Sequence, residues 1–282
     1  TQALSSVILQ IGHRIPLIRA LMTHAEREMI AAVMPMGGAA SYITLVSRFG
    51  PYGVTHNDAA LAVMLYSVIG HLSFIAVAIP AIVLLIVQHN ATGPILIGAV
   101  AFLVVAVLIG LLVIALLRGK QFPDMLERRL PGSVQEFRET AKTTRIPARS
   151  LLLPMAFSLV ADLLGVVSMW AALHAVRTDA ALVAALVAYT VGTMLQLVAP
   201  VFQGLGVVEV SVIYVLQRLG VPAPQAIGAT ILYRFVDVWL PVVLGIGVHA
   251  QYQRRLRGVP AYLPALWTGL SGMLALISGL PA

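Results

Sequence analysis

The chain has 282 residues, of which 60% are hydrophobic and only 10% are charged, and it carries a formal net charge of +7 and no cysteine. Soluble domains contain about 25% charged residues, so the composition excludes an ordinary soluble domain, and the lack of cysteine excludes disulfides and thiolate metal sites. Polarity does not alternate as it does in membrane barrels. We therefore predict an all-α polytopic membrane protein with a single domain over residues 1–282.

A short broken segment lies near the start of the chain, between Glu28 and Arg48. It contains Pro35, Gly37 and Gly38, has charged ends and is too short to cross a bilayer twice. We predict a re-entrant element here, because broken backbone at membrane depth is tolerated only beside protein or a water-filled cavity. Helices kinked at Pro and Gly are the alternative. The basic residues before this segment place its entry on the cytoplasmic side.

Long apolar runs with few or no charges predict the spanning helices, since about 20 residues cross the hydrocarbon core. These runs cover residues 59–87, 93–117, 151–176, 227–248 and 262–280. The chain begins at Thr1 and no signal peptide pattern follows, so we expect that upstream residues have been removed.

The connection 118–150 carries eight Lys or Arg residues, whereas the connection 88–92 carries none. By the positive-inside rule the first connection is cytoplasmic, so the run 59–87 points outward and the run 227–248 points inward. The basic loop is either a helix lying on anionic headgroups or a solvated connector. Because topology accounts for the positive charge, no nucleic acid partner is expected.

A second broken segment precedes the run 227–248. Residues 182–199 and 201–219 each have nearly the minimal spanning length and are separated by Pro200, with Gly204 and Gly206 just beyond it. Two full crossings or one re-entrant hairpin fit the topology. We favour the hairpin because the first broken segment is too short for two crossings, and in transporters such breaks mark the substrate site.

The two halves of the chain, residues 1–118 and 151–282, share an ordered pattern. Each half contains a Pro, then paired glycines, then Gly-Val, then a long span. Alignment of the halves without gaps matches Gly53 with Gly220, Val54 with Val221, Ala59 with Ala226, Ala62 with Ala229, Leu65 with Leu232 and Tyr66 with Tyr233. Because the two aligned spans point in opposite directions, the pattern predicts an inverted-topology repeat with two broken segments.

Five charged residues lie within or at the edge of apolar segments, namely Asp58, Asp162, Glu209, Arg234 and Asp237. Each costs at least about 2.5 kcal/mol near the bilayer centre unless it is paired or hydrated. We predict that Glu209 and Arg234 face each other across a cavity, where Arg234 could exchange a carboxylate for an anionic phosphate. A structural Arg234–Asp237 pair on one helical face is the alternative. Asp162 either pairs with one of these charges or carries a proton.

The predicted substrate path combines these charges with the two broken segments. Its residues are Pro35, Gly37, Gly38, Asp162, Pro200, Gly204, Gly206, Glu209, Arg234 and Asp237. No zinc-binding helix motif is present, and Gly204-Leu205-Gly206 lacks the third glycine of a nucleotide fingerprint. We therefore expect no metal, no cofactor and no catalytic group.

The second broken segment carries a family resemblance. The residues from Pro200 to Glu209, then Leu219-Gly220-Val221, then Tyr233-Arg234, resemble the transmembrane domain of the lysylphosphatidylglycerol synthase/flippase family. That family typically reads Pro-x-Gly-Gly-x-Gly-x-x-Glu, then Leu-Gly-Val, then Tyr-Arg. The chain departs from the pattern at Gln203, where glycine is usual, and at Ala39, where an acidic residue is common.

The resemblance implies a bacterial cell-membrane protein that moves a polar or aminoacylated phospholipid, such as lysylphosphatidylglycerol, between leaflets. Its implied partners are anionic or aminoacylated membrane phospholipids and a synthase domain, fused or separate, that holds any aminoacyltransferase activity. Whether the chain forms a homodimer is left open. The alternatives are a secondary transporter of a small soluble solute and an intramembrane lipid-modifying enzyme.

Overall fold

The computed structural model describes residues 2–33, 44–45, 47–87, 104, 107, 148–180, 182–198 and 204–255. Every regular element in this part of the chain is helical and no strand occurs in it, which confirms the predicted all-α class. Several predicted features lie outside the described residues, namely Pro35, Gly37, Gly38, Pro200, the run 262–280, and most of the run 93–117 and of the basic loop 118–150.

The described part of the chain contains eight α-helices. In chain order they are α1 Gln2–Gln10, α2 Leu17–Val33, α3 His56–Val87, α4 Leu152–Ala175, α5 Leu182–Val198, α6 Val207–Arg218, α7 Ala223–Arg234 and α8 Leu240–Arg255. A π-helical segment, Phe235–Trp239, joins α7 to α8 without a break, and 3₁₀ turns at Gly50–Tyr52 and Ala148–Leu151 precede α3 and α4.

Three described stretches are long and apolar enough to cross a bilayer, namely His56–Val87, Arg149–Ala175 and Ala223–Ala250. They begin within a few residues of the predicted runs, and they identify the chain as a membrane protein. Helix α6 is different, because its 12 residues extend only about 18 Å, well short of the roughly 30 Å hydrocarbon core. Helix α5, with 17 residues, extends about 25 Å.

Helices α3 and α7 begin in the same way. Before each helix a glycine adopts a left-handed conformation, Gly53 with φ 81° and Gly220 with φ 87°, and a buried valine follows it. In front of α3 the Thr55 hydroxyl and the Asp58 carboxylate cap each other's backbone N–H groups, and Asp58 also bonds His13. Asp58 therefore stabilises a helix start, a role that the sequence analysis did not foresee.

Helix α4 packs against α1, α3, α5 and α7. The buried surfaces of these helices contain many small residues, namely Ala78, Ala172, Ala184, Ala185, Ala188, Ala226 and Ala229. Small side chains let helix backbones approach closely, which favours association where lipid removes the hydrophobic driving force. Large apolar side chains such as Leu163 and Leu164 remain exposed on α4, as expected for a lipid-facing surface.

The chain divides into two compact units, Thr1–Ile246 and Gly247–Ala282. The first unit holds α1 to α7, the π segment and the start of α8. In the second unit the described residues are the remainder of α8. Every described residue of the predicted path lies in the first unit, and the prediction of one domain over residues 1–282 stays a prediction.

Candidate functional site

A tight glycine turn positions the carboxylate of Glu209. Gly204 and Gly206 have φ values of 72° and 89°, a conformation that side chains with a Cβ rarely adopt. Helix α6 therefore begins at Val207, and the Gly206 N–H donates a hydrogen bond to Glu209 Oε2 at 2.6 Å. The carboxylate thus satisfies a free N–H group of the helix start, where the helix dipole also favours negative charge.

Arg234 binds the other oxygen of this carboxylate. Its Nε donates to Glu209 Oε1 at 2.6 Å, and its Nη1 lies 3.7 Å from Asp237 Oδ2. The Arg234 side chain is 3% exposed, whereas the Glu209 and Asp237 side chains are 24% and 33% exposed. One buried guanidinium therefore pairs with two partly exposed carboxylates, and the sequence-predicted residues Gly204, Gly206, Glu209, Arg234 and Asp237 form one cluster.

The π segment follows Arg234 directly and contains Asp237. In this segment the N–H of Leu240 bonds the carbonyl of Phe235, five residues earlier, so the helix is locally widened. Such single π turns are frequent at functional sites. Here the wide turn lies next to the only arginine of the span Ala223–Ala250.

Asp162 belongs to a separate polar group. Its carboxylate accepts hydrogen bonds from the Ser73 hydroxyl of α3 and from the Tyr189 hydroxyl of α5, the latter at 2.9 Å. Gly165 makes room for this arrangement, because a Cβ at that position would overlap the Tyr189 ring. The Tyr189 ring meets the ring of Tyr233 edge to face, with centroids 6.5 Å apart, and Tyr233 directly precedes Arg234.

Both polar groups lie near the middle of their spans. Asp162 is about 15 Å from the start of α4, and Arg234 is about 16 Å from the start of α7. These distances are roughly half of the 30 Å hydrocarbon core. Transporters place their substrate and ion sites at this depth, between broken helices.

The N-terminal part of the structure holds a third group of charges, which the sequence analysis did not single out. Arg48 donates to both carboxylate oxygens of Glu26, which is 1% exposed. Arg27 donates to Glu28 at 2.8 Å, and its guanidinium lies 5.0 Å from the ring centre of Tyr66. Glu26 and Arg48 are 22 residues apart, so no local spacing could have indicated their pairing.

A cavity of about 440 Å³ lies between the α4–α5 connection and the α6–α7 turn. Arg177, Asp179 and Gln225 supply much of its polar lining. By the predicted topology this cavity lies at the external ends of the helices. Within the described residues no group of three potential metal ligands occurs.

One comparison with known proteins gives a match. Residues 3–245 match the family model described as the lysylphosphatidylglycerol synthase TM region. No significant match was found among curated proteins or among solved structures. The match covers the whole set of described path residues and confirms the resemblance that the second broken segment indicated.

Proposed function

Because the chain belongs to the lysylphosphatidylglycerol synthase TM region family, we propose that it translocates a phospholipid with a polar or aminoacylated headgroup between the two leaflets. Lysylphosphatidylglycerol is the example that the family description suggests. The family membership and the spanning helices support a function in membrane lipid metabolism. The translocation itself is inferred from the site.

The observation that carries the proposal is the buried Arg234 beside the glycine turn. Its guanidinium is held by Glu209 at 2.6 Å and approached by Asp237, so two carboxylates share one cation. A phosphodiester presents the same kind of planar pair of oxygens to a guanidinium as a carboxylate does. The phosphate of a headgroup can therefore replace Glu209 on Arg234 without leaving the cation unpaired in the membrane.

The surroundings of Arg234 suit a substrate that keeps its acyl chains in lipid. The apolar neighbours Ile231 and Phe235 are 60% and 55% exposed, although Arg234 itself is buried. A bilayer would cover these side chains with acyl chains. The headgroup would then reach Arg234 from the side, while its tails stay outside the helix bundle.

The short helix α6 and the turn before it support a re-entrant hairpin formed by α5 and α6. The 12 residues of α6 cannot cross the hydrocarbon core, and Gly204 and Gly206 set its start at mid-depth near Arg234. The same left-handed Gly followed by a buried Val before α3 and α7 supports the inverted repeat. Re-entrant elements and the repeat are parts of the proposal.

The first half offers a counterpart to the Arg234 cluster. Tyr66 aligns with Tyr233 in the proposed repeat, and each tyrosine has an arginine–glutamate pair close to it. Tyr66 is about 15 Å from the start of α3, which is again near mid-depth. We propose that a headgroup passes between the Arg27–Glu28 pair and the Arg234 cluster as it crosses.

The remaining features of the proposal are inferred from the distribution of charge along the chain and from the family resemblance. The protein is a multi-pass protein of a bacterial cell membrane, with the basic loop 118–150 in the cytoplasm. The domain is a transporter and not an enzyme, and a synthase domain, fused or separate, would supply the aminoacylated lipid.

Substitution of Arg234 in purified protein reconstituted into liposomes tests this proposal. The assay follows how fast a fluorescent phosphatidylglycerol in the inner leaflet becomes accessible to an added quencher. Arg234→Ala should slow this exchange at least about tenfold, because the loss of a charged hydrogen-bonding partner costs several kcal/mol. Arg234→Lys should retain part of the activity, since lysine keeps the charge and loses the fork geometry.

Arg218→Ala is the matched control, because Arg218 likewise ends a helix, the neighbouring α6, but in an exposed position. It should exchange lipid as the unsubstituted protein does. Size-exclusion profiles separate loss of folding from loss of transport. Equal exchange rates for the Ala variants at 234 and 218, with both folded, would refute the role of Arg234.

A further inference from the structure

Asp162 is held differently from the acidic residues of the Arg234 cluster. Its two oxygens accept hydrogen bonds from the hydroxyls of Ser73 and Tyr189. In the part of the chain that the structure describes, these hydroxyls are its hydrogen-bond partners, and no Lys, Arg or His lies within ion-pair distance of it. Among the described residues, no cation therefore balances its charge at mid-depth.

Hydroxyl partners suit a carboxyl group that changes its protonation state. A hydroxyl donates to an ionised carboxylate, and after rotation it accepts from a protonated carboxylic acid. A guanidinium could only donate and would keep the group ionised. Because an unbalanced charge in the middle of a span costs at least about 2.5 kcal/mol, such residues commonly belong to proton relays in pumps and transporters.

We propose that Asp162 binds and releases one proton in each transport cycle, so that a proton gradient drives lipid translocation. This inference rests on the proposed function. The proton adds to the Asp162 carboxylate from one side of the membrane and leaves it to the other side, and no other bond changes.

The helices packed against α4 bring few other titratable or charged groups to this place. They are Tyr189 on α5, Tyr233 and Arg234 on α7, and Asp237 in the adjoining π segment. Helix α1 carries no charged residue. His71 of α3 bonds the carbonyl of Ser67 in its own helix, and Arg149 lies in the 3₁₀ turn before α4, roughly 20 Å from Asp162.

A short chain of contacts connects Asp162 to the lipid site. Tyr189 binds Asp162 through its hydroxyl and touches Tyr233 through its ring, at an interplanar angle of 89°. Tyr233 precedes Arg234 in α7. Protonation of Asp162 removes a negative charge near Tyr233 and Arg234 and reverses the hydrogen bond between Asp162 and Tyr189. This change alters the competition between the Glu209 carboxylate and a headgroup phosphate for Arg234.

A purely structural role for Asp162 would be to tie α3, α4 and α5 together. Asn has nearly the same size and retains hydrogen-bonding capacity but does not titrate, so Asp162→Asn separates the two roles. If Asp162 is only structural, the Asn variant responds to a proton gradient as the unsubstituted protein does. If Asp162 carries the proton, the response disappears.

Liposomes containing the full chain provide the test. With the membrane potential clamped at zero, a pH difference of one unit is imposed, and the distribution of fluorescent phosphatidylglycerol between leaflets is measured at steady state. One proton per lipid should shift this distribution up to about tenfold in the unsubstituted protein. Asp162→Asn should show no shift. A shift that persists in the Asn variant, or exchange without any shift in the unsubstituted protein, would overturn the inference.

Infrared difference spectroscopy supplies a readout that does not depend on lipid. Acidification should produce a carboxylic acid C=O band that is missing in Asp162→Asn and altered in Tyr189→Phe. Thr190→Val is the control, because the Thr190 hydroxyl of the same helix donates to the carbonyl of Leu186 and not to Asp162. Absence of the band in the unsubstituted protein would overturn the proton site. A normal band with no lipid exchange would refute the translocation proposal and leave the proton site supported.

Discussion

At the scale of single residues, close packing around polar groups decides which side chains can interact. Tyr189 reaches Asp162 because Gly165 offers no Cβ to the tyrosine ring. Arg234 reaches Glu209 because the glycine turn starts α6 beside the end of α7. In both cases a glycine provides the space or the turn that lets a charged residue reach its partner, and neither residue alone would indicate the contact.

Substitution of Gly165 by Ala tests this dependence. The added Cβ would overlap the Tyr189 ring, so the ring must move away from Asp162. We expect a loss of about 1–3 kcal/mol in the free energy of unfolding, as for overpacked cores. Gly70→Ala is the matched control, because a Cβ on Gly70 of α3 meets no atom within 4 Å, and Ala there should be neutral or stabilising. Thermal unfolding in detergent measures both, and equal midpoints would contradict the packing argument.

At the scale of elements, the lengths of the apolar runs predicted the positions of the spanning helices accurately. The local backbone conformation could not be predicted from these runs. The runs 59–87 and 151–176 lie within a few residues of α3 and α4, because the length of an uninterrupted apolar stretch is enough to predict a spanning helix. The second broken segment was predicted at Pro200, Gly204 and Gly206, and α6 starts at Val207, directly after these glycines. Gly204 and Gly206 adopt left-handed conformations that keep the residues before Val207 out of helix α6. The hydrophobicity of the segment does not indicate this conformation.

The sequence indicated one pairing between distant residues and missed others. Glu209 and Arg234 were predicted to face each other, because the cost of charge in the membrane pointed to both. Two other sets of contacts were missed, the Glu26–Arg48 pair and the hydrogen bonds from Ser73 and Tyr189 to Asp162. These contacts depend on how the helices pack, which the spacing of residues along the chain does not indicate. The π segment at Phe235–Trp239 was likewise not foreseen, since its residues would also fit an α-helix.

Alanine substitutions of two glycines test whether the turn before α6 has a role in lipid exchange that the turn before α7 does not have. Gly206 and Gly220 have φ values of 89° and 87°, and a Cβ on either meets no atom within 4 Å. Ala at each position should therefore cost a similar amount, roughly 1–2 kcal/mol of backbone strain. Gly206→Ala should in addition move Glu209 and slow lipid exchange, whereas Gly220→Ala should slow it only in proportion to lost folded protein. Similar losses of exchange per folded molecule would contradict the special role of the Gly206 turn.

At the scale of the whole molecule, the side of the membrane that each connection occupies determines the direction of every span. The chain contains no cysteine, so a single introduced cysteine reports its own position without background. Asn90→Cys in the connection 88–92 should react with a membrane-impermeant maleimide in intact cells. Arg128→Cys in the basic loop should react only after the membrane is opened. The reverse pattern would invert the topology and place the Arg177 cavity on the cytoplasmic side.

The central claim is that the Arg234 cluster recognises a lipid headgroup through its phosphate while the acyl chains stay in the bilayer. The distribution of buried and exposed side chains around Arg234 favours lateral access for a lipid over a closed path for a soluble solute. Headgroup selectivity is the property that this arrangement implies, because Glu209 and Asp237 add negative charge around the cation. A headgroup that carries an added ammonium should therefore be preferred over one that carries only the phosphate.

The most direct measurement is the exchange rate of fluorescent lipids with different headgroups in liposomes that contain the purified protein. We predict faster exchange for lysylphosphatidylglycerol than for phosphatidylglycerol, slow exchange for phosphatidylcholine, whose bulky quaternary ammonium cannot donate hydrogen bonds, and loss of this selectivity in Glu209→Gln. Equal acceleration of all three lipids, or acceleration of none, would contradict the claim.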